Sequence, residues 1–322
     1  MIAAIGLLAA CSKDTDDEQT APLSDASVMM VRASRSIMGV EDYGDIRVLL
    51  AVTGAETYTD GLFKYVGGSK WNTQLKLKSG EQVYRLYGFM PDNTDFTRSI
   101  TGWSDDGATL HIGKMTALSN EDYCVVSGLR QVENNEDDRM AIRGNFAFTY
   151  NSNRENYINL LFDHLYARVV FNIRVGSEYG QLRTIKVTNM QLEVTGYSEF
   201  SADITLETGV GVSDVDYSVT GTENSSVTIK ETEQTLTTTY ETVSSVQIVP
   251  HAAMYDNMRL ITEYDVYDRQ GNKIDTRTAI NKLGEPLNEL QRGEERTLLL
   301  TVDPSYLFVL SDQDPPLIIV KE

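Results

Sequence analysis

Histidine and cysteine are scarce in this chain, with 3 and 2 copies in 322 residues. Two cysteines exclude a disulfide framework, and three dispersed histidines leave little from which to build a metal or nucleophilic centre. His111, His164 and His251 lie far apart, each in or beside an apolar strand, and no HExxH, GxSxG or Cys/His ligand spacing occurs. Basic residues are also short, 28 against 47 acidic ones, for a formal charge of -19. Such a chain repels phosphate backbones and anionic bilayers alike, so no nucleic acid is expected as a partner. No apolar run approaches the roughly 20 residues of a membrane-crossing helix. The carboxylate groups Asp105-Asp106, Glu136-Asp137-Asp138 and Asp312-x-Asp314 lack the remaining ligands and the glycine of a calcium loop and read as solvated loop ends. No catalytic residue, metal or cofactor is expected.

What is present begins with an address. Ile2 to Ala10 is uncharged and ends in Leu8-Ala9-Ala10-Cys11, the pattern of a secretory core with a cleavage site between Ala10 and Cys11. Residues 1–10 are therefore expected to be a lipoprotein signal peptide and Cys11 the lipidated residue, whose acyl chains would anchor the protein to a membrane. Ser12-Lys13-Asp14-Thr15-Asp16-Asp17-Glu18-Gln19 follows, and residues 11–26 read as a lipidated acidic linker, because clustered carboxylates cannot pack into a core. With Cys11 acylated, Cys124 in Tyr123-Cys124-Val125-Val126 has no disulfide partner and reads as a small buried hydrophobe.

Downstream the dominant hydrophobic period is two. Asp45 to Val52, Gln74 to Lys78 and Gln82 to Phe89 alternate, the last two around Ser79-Gly80 as a hairpin. The same signature covers Ala167 to Val175, Thr184 to Val194, Ser226 to Ile229, Ser245 to Val249, Met258 to Tyr267 and Arg296 to Val302. Asn156 to Leu165 fits a short helical turn or an interdomain strand, and Thr232 to Thr242, polar all round, fits an edge strand or an exposed loop. Many short alternating strands predict an all-β protein of two antiparallel β-sandwich domains, each sheet covering the other's apolar face. The boundary falls near Asn151 to Asp163, giving domains at 27–160 and 161–322.

Longer motifs give this pattern a family. Phe63-Lys64-Tyr65-Val66-Gly67-Gly68-Ser69-Lys70-Trp71, then Tyr87-Gly88-Phe89-Met90-Pro91, then Phe162-Asp163-His164-Leu165-Tyr166-Ala167-Arg168-Val169-Val170-Phe171, and finally Val302-Asp303-Pro304 with Tyr306-Leu307-Phe308-Val309-Leu310-Ser311-Asp312 occur in order. This succession resembles the fimbrillins and Mfa-like proteins, the subunits of Bacteroidales type V pili. The acidic stretch after Cys11 likewise resembles the surface-export signal of Bacteroidales lipoproteins.

The resemblance implies sandwiches of transthyretin-like Greek-key type and a role as a fimbrial subunit or pilus-associated adhesin. It also implies a location on the outer-membrane surface and in the fimbrium. Partners would be other pilus subunits joined by strand addition, the outer membrane through the lipid anchor, and a host or bacterial surface receptor. In the family an Arg-specific protease removes an N-terminal strand, and a strand from another subunit fills the groove, supplying the missing ladder and side chains. Here the corresponding leaving strand is Val28, Met29, Met30 and Val31, following Ser27, with the cut after Arg32 or Arg35. The apolar C-terminal segment Leu317, Ile318, Ile319 and Val320 is the candidate donor, or else pairs within its own domain. An alternative function is a glycan-binding surface lipoprotein of a polysaccharide-uptake system, with Trp103 in the polar turn Gly102-Trp103-Ser104-Asp105-Asp106-Gly107 as the exposed sugar contact.

Overall fold

The computed structural model describes residues 20–22, 25–30, 44–67, 70–73, 75–78, 80–133, 139–151, 157–303 and 318–320. In chain order the strands are β1 (Thr20–Pro22), β2 (Asp25–Met30), β3 (Ile46–Val52), β4 (Tyr58–Gly67), β5 (Lys70–Thr73), β6 (Lys76–Lys78), β7 (Val83–Met90) and β8 (Thr97–Thr101). Next come β9 (Gly107–Thr116), β10 (Leu118–Ser119), β11 (Cys124–Val132), β12 (Ile142–Arg143), β13 (Ala147–Thr149), β14 (Tyr157–His164), β15 (Ala167–Val175) and β16 (Thr184–Val194). The remainder are β17 (Glu199–Glu207), β18 (Gly211–Gly221), β19 (Ser225–Lys230), β20 (Gln234–Thr235), β21 (Glu241–Ile248), β22 (Met258–Tyr267), β23 (Lys273–Lys282), β24 (Glu295–Val302) and β25 (Ile318–Val320). Three short helices, α1 (Ser177–Leu182), α2 (Ala252–Tyr255) and α3 (Gly284–Leu287), sit in connections. The protein is all-β, as the period-two pattern requires.

The first half is organised by one sheet that closes on itself. Its ladder runs β7-β3-β4-β5-β2-β14-β11, and β11 then returns to β7 through Cys124 opposite Met90 and Val125 opposite Phe89. Inside lie Ile46, Val48, Phe63, Trp71, Leu86, Val126, Leu160 and Phe162. Trp71 is fully buried, and its indole N–H donates to the Gly44 carbonyl at 2.8 Å, which satisfies its one polar atom. Because β3 is covered on both faces, Leu49 and Ala51 pack outward into a second core.

That second core is continuous with the other half. It joins Tyr87 and Phe89 of β7 to Leu110 and Ile112 of β9, Phe171 of β15, Leu192 of β16, Ile204 of β17 and Leu300 of β24. Each such fully buried side chain contributes about 1.5–3 kcal/mol of hydrophobic stabilisation. Two sheets belong to the second half alone apart from short β10: β10-β21-β15-β24-β25, and β19-β16-β22-β23 with β20 on β16. A third, β18-β17-β9-β8, takes two strands from each half. A division after residue 160 therefore passes through β14, while the β9–β17 ladder crosses it. Two strands, β1 and β2, also begin within the stretch 11–26 that reads as linker.

One local expectation is corrected and one open alternative is decided. The segments around Ser79-Gly80 do not form a hairpin: β6 pairs with β1, whereas β7 pairs with β3, β13 and β11. Local alternation identifies a strand but leaves its partner open, and here the Tyr84 hydroxyl instead accepts the Lys78 backbone N–H at 2.7 Å. Asn156 to Leu165 is mostly strand β14, buried along its whole length. Burial of both faces explains why its apolar run lacked a clear period.

Candidate functional site

The N-terminal strand is not an appendage. β2 lies between β14 and β5, parallel to β14 over Asp25–Met30 opposite Tyr157–Phe162 and antiparallel to β5 at Asp25–Ser27. The register sets Ala26, Val28 and Met30 beside Ile158, Leu160 and Phe162, whose side chains belong to the interior cluster. Without β2 the closed ladder would open between β14 and β5. Their facing N–H and C=O groups would be unpaired beside a trough floored by Ile158, Leu160 and Phe162, the geometry of a β-strand acceptor. β1 extends this anchorage, pairing with β6 through Thr20–Lys78, Ala21–Leu77 and Pro22–Lys76.

The flanks of the slot differ. On β14, Asp163 receives a two-pronged hydrogen bond from Arg143 of β12, at 2.7 and 2.8 Å, and this contact raises the pKa of the guanidinium further. Beyond the other flank, the β4–β5 face carries an apolar hollow of about 430 Å³ lined by Leu62, Lys64, Val66, Asn72 and Leu75 among others. At the C-terminal end of β14, His164 stands opposite Cys124. Its Nδ1 lies 3.3 Å from the Cys124 sulfur and 2.8 Å from an Asp122 carboxylate oxygen. Proximity in sequence does not reveal this trio, since Cys124 and His164 are 40 positions apart and meet only through the ladder. Adjacent Tyr123 is hydrogen-bonded by Asn93 at 2.8 Å, and burial pushes its phenol up.

The other singled-out residues are dispersed. Ile318, Ile319 and Val320 form β25, antiparallel to Leu299–Thr301 of β24 at the edge of its sheet. Trp103 is half-buried, packed against the second core and edge-on to Tyr58 at 6.0 Å between ring centroids, so it does not project from its turn. Arg85 pairs with Asp105 of the same turn, and Thr208 donates to the Asp105 carbonyl at 2.7 Å. His111 pairs with Asp203 at 2.7 Å across β9 and β17, and His251 packs against Phe200. Ala10, Cys11, Val31, Arg32, Arg35 and Leu317 lie outside the described residues.

A closed β ladder in which β2 lies between β14 and β5, beside a sheet shared between the two halves, defines the class of fold. The fimbrillin-like family model matches residues 133–313, more than half of the chain. The chain belongs to the fimbrillin-like family, and its role is accordingly pilus-related. A fimbrial protein from Bacteroides vulgatus shares the fold at a TM-score of 0.50 with 10% identity, over 94% of this chain and 99% of its own. Proteins assigned to cell adhesion from Bacteroides uniformis (TM-score 0.47, 8% identity, 95% and 97% covered) and Bacteroides ovatus (0.46, 13%, 94% and 96%) align more loosely. No protein of curated function matches the chain.

Proposed function

We propose that this protein is a surface-anchored pilus subunit that joins its neighbour by exchanging β2 for a strand of another subunit. The observation that carries the reading is the insertion of β2 between β14 and β5. It is a short stave held in parallel on its longer side, over six residues, and parallel pairing is slightly weaker per residue than antiparallel. A strand entering in the reverse direction would run antiparallel to β14 along the six-pair side and parallel to β5 along the three-pair side, so exchange gains ladder strength on the longer flank while keeping the trough filled. Proteolysis after Arg32 or Arg35 would cut β2 free of β3 and leave it held by pairing alone. Lipid on Cys11 would keep the precursor on the outer membrane until then, and Leu317 to Val320 would supply the donor. The role is structural, and a surface receptor would be met by the assembled fibre.

The test is limited digestion of the full chain with an Arg-specific protease, followed by N-terminal sequencing and native mass. A single early cut after Arg32 or Arg35, followed by growing oligomers that vanish on deletion of Pro315 to Glu322, is the expected result. Resistance of both arginines while other sites are cut would overturn it.

A further inference from the structure

The trio at the end of β14 has a chemistry that strand exchange does not use. One ligand atom each from Asp122, Cys124 and His164 falls within 4.8 Å of the other two. The Cys124 sulfur lies 3.3 Å from His164 Nδ1, Asp122 Oδ2 lies 2.8 Å from that nitrogen, and Asp122 Oδ1 lies 3.9 Å from the sulfur. Cys124 and the His164 side chain are each 1% exposed, whereas the Asp122 side chain is 14% exposed and opens the cluster to solvent. A single ring nitrogen thus faces both a thiol and a carboxylate, while His164 Nε2 has no hydrogen-bond partner among the described residues. With Nδ1 donating to Asp122 Oδ2, the Cys124 thiol also has the Asp122 backbone carbonyl at 3.6 Å as an acceptor, so the three side chains are gathered at one point.

We propose that Asp122, Cys124 and His164 bind a divalent transition-metal ion of the zinc type. A thiolate, an imidazole and a carboxylate are zinc donors, and the sulfur disfavours calcium and magnesium. Around tetrahedral zinc, with bonds of about 2.0–2.3 Å, neighbouring ligand atoms stand about 3.3–3.6 Å apart. The sulfur–nitrogen edge already matches. The nitrogen–oxygen edge must open by about half an ångström to reach that range, a movement available to the partly exposed Asp122. The other two donors are fixed, since Cys124 is paired with His164 on one side and Met90 on the other. On binding, the Cys124 thiol releases its proton to solvent as the sulfur–metal bond forms, the ion remains divalent, and water completes the fourth position. The ion pins the start of β11 to the end of β14, where the ladder closes and just beyond the Phe162–Met30 pair. This site stands independently of the pilus reading.

The experiment uses the full chain carrying Cys11→Ser, so that Cys124 is its one thiol, without a histidine tag. It is titrated with cobalt(II) and then with zinc. One equivalent of cobalt is expected to give a thiolate charge-transfer band and tetrahedral visible bands, both bleached by zinc. Cys124→Ser should abolish the charge-transfer band. Asp122→Asn, at the exposed rim, should weaken cobalt affinity by more than about tenfold, since loss of even an outer-shell partner of a metal costs 10–100-fold. Zinc should also raise the melting temperature of the parent and leave that of Cys124→Ser unmoved. Absence of the charge-transfer band in the folded parent overturns the proposal. So does unchanged cobalt affinity in Asp122→Asn, which alone suffices if Cys124→Ser does not fold.

Discussion

Arg143 and Asp163 form a fork across β12 and β14, with Nη1 at 2.7 Å and Nη2 at 2.8 Å from the two carboxylate oxygens. The Asp163 side chain is 6% exposed and the Arg143 side chain 36%, so the carboxylate is the member that cannot return to water. Arg292 stands 4.0 Å away and compensates only in part. Arg143→Ala should therefore destabilise the protein by about 2–4 kcal/mol, toward the lower end of the range for a broken buried pair because its own charge is partly solvated. A denaturant titration checks the value, and a double variant with Asp163→Asn should recover part of the loss.

Removing β2 should cost both stability and closure. A chain beginning at residue 36 is expected to melt at a lower temperature than the full chain and to bind a hydrophobic dye, as the β14–β5 trough opens. A synthetic Asp25–Met30 peptide should reverse both changes at saturating concentration. Unaltered dye binding in the shortened chain would mean that the ladder closes without β2.

Acid should loosen the β22–β23 hairpin before the barrel. Asp265, hydrogen-bonded by Lys273 and Thr276, Asp268, hydrogen-bonded by Asn272, and Asp275, hydrogen-bonded by Arg277, all have carboxyls held below the usual 3.8. Between the lowered folded values and 3.8 the unfolded chain binds more protons than the folded one. Their contribution is thus complete above the unfolded pKa and fades as pH falls through the folded values. Hydrogen exchange of the β23 amides should quicken as pH is lowered through and below about 4, after correction for intrinsic exchange, and Asp265→Asn should flatten that response.

Gly107 opens β9 at a φ of +147°, and a Cβ there would stand within 3.0 Å of the Leu206 carbonyl carbon and nearer still to its oxygen. Gly107→Ala should accordingly cost more than about 1 kcal/mol, because neither the backbone angle nor the space accepts a side chain. The loss should register as faster amide exchange along β9 and β17 together.

Much of the strand content is legible without coordinates. Ala167–Val175, Thr184–Val194 and Met258–Tyr267 are strands at the very limits their alternation sets. Pairing is less legible, as the missing hairpin at Ser79-Gly80 illustrates, because register is settled by distant partners. β9, β17 and β18 stand out least in sequence. β18 is an acidic edge strand with Asp214 and Asp216 exposed, and β9 meets β17 only across the middle of the chain. The β9–β17 pairing joins the two halves, a contact that alternation within either strand cannot show. At the candidate site, β2 overlaps the segment that the family resemblance singles out as a candidate leaving strand, while the Cys124–His164 contact depends on a ladder no local window contains.

The shared sheet has a mechanical consequence. The β2 slot lies in the first half and β25 at the edge of the second, and β9 and β17 are laddered from Gly107–Glu207 to Thr116–Glu199 between them. A pull applied at the slot and at the C-terminal strand loads that ladder and the continuous core beside it together. Stretched as a single molecule, the chain should yield in one rupture rather than two, behaving as a single rigid link under tension.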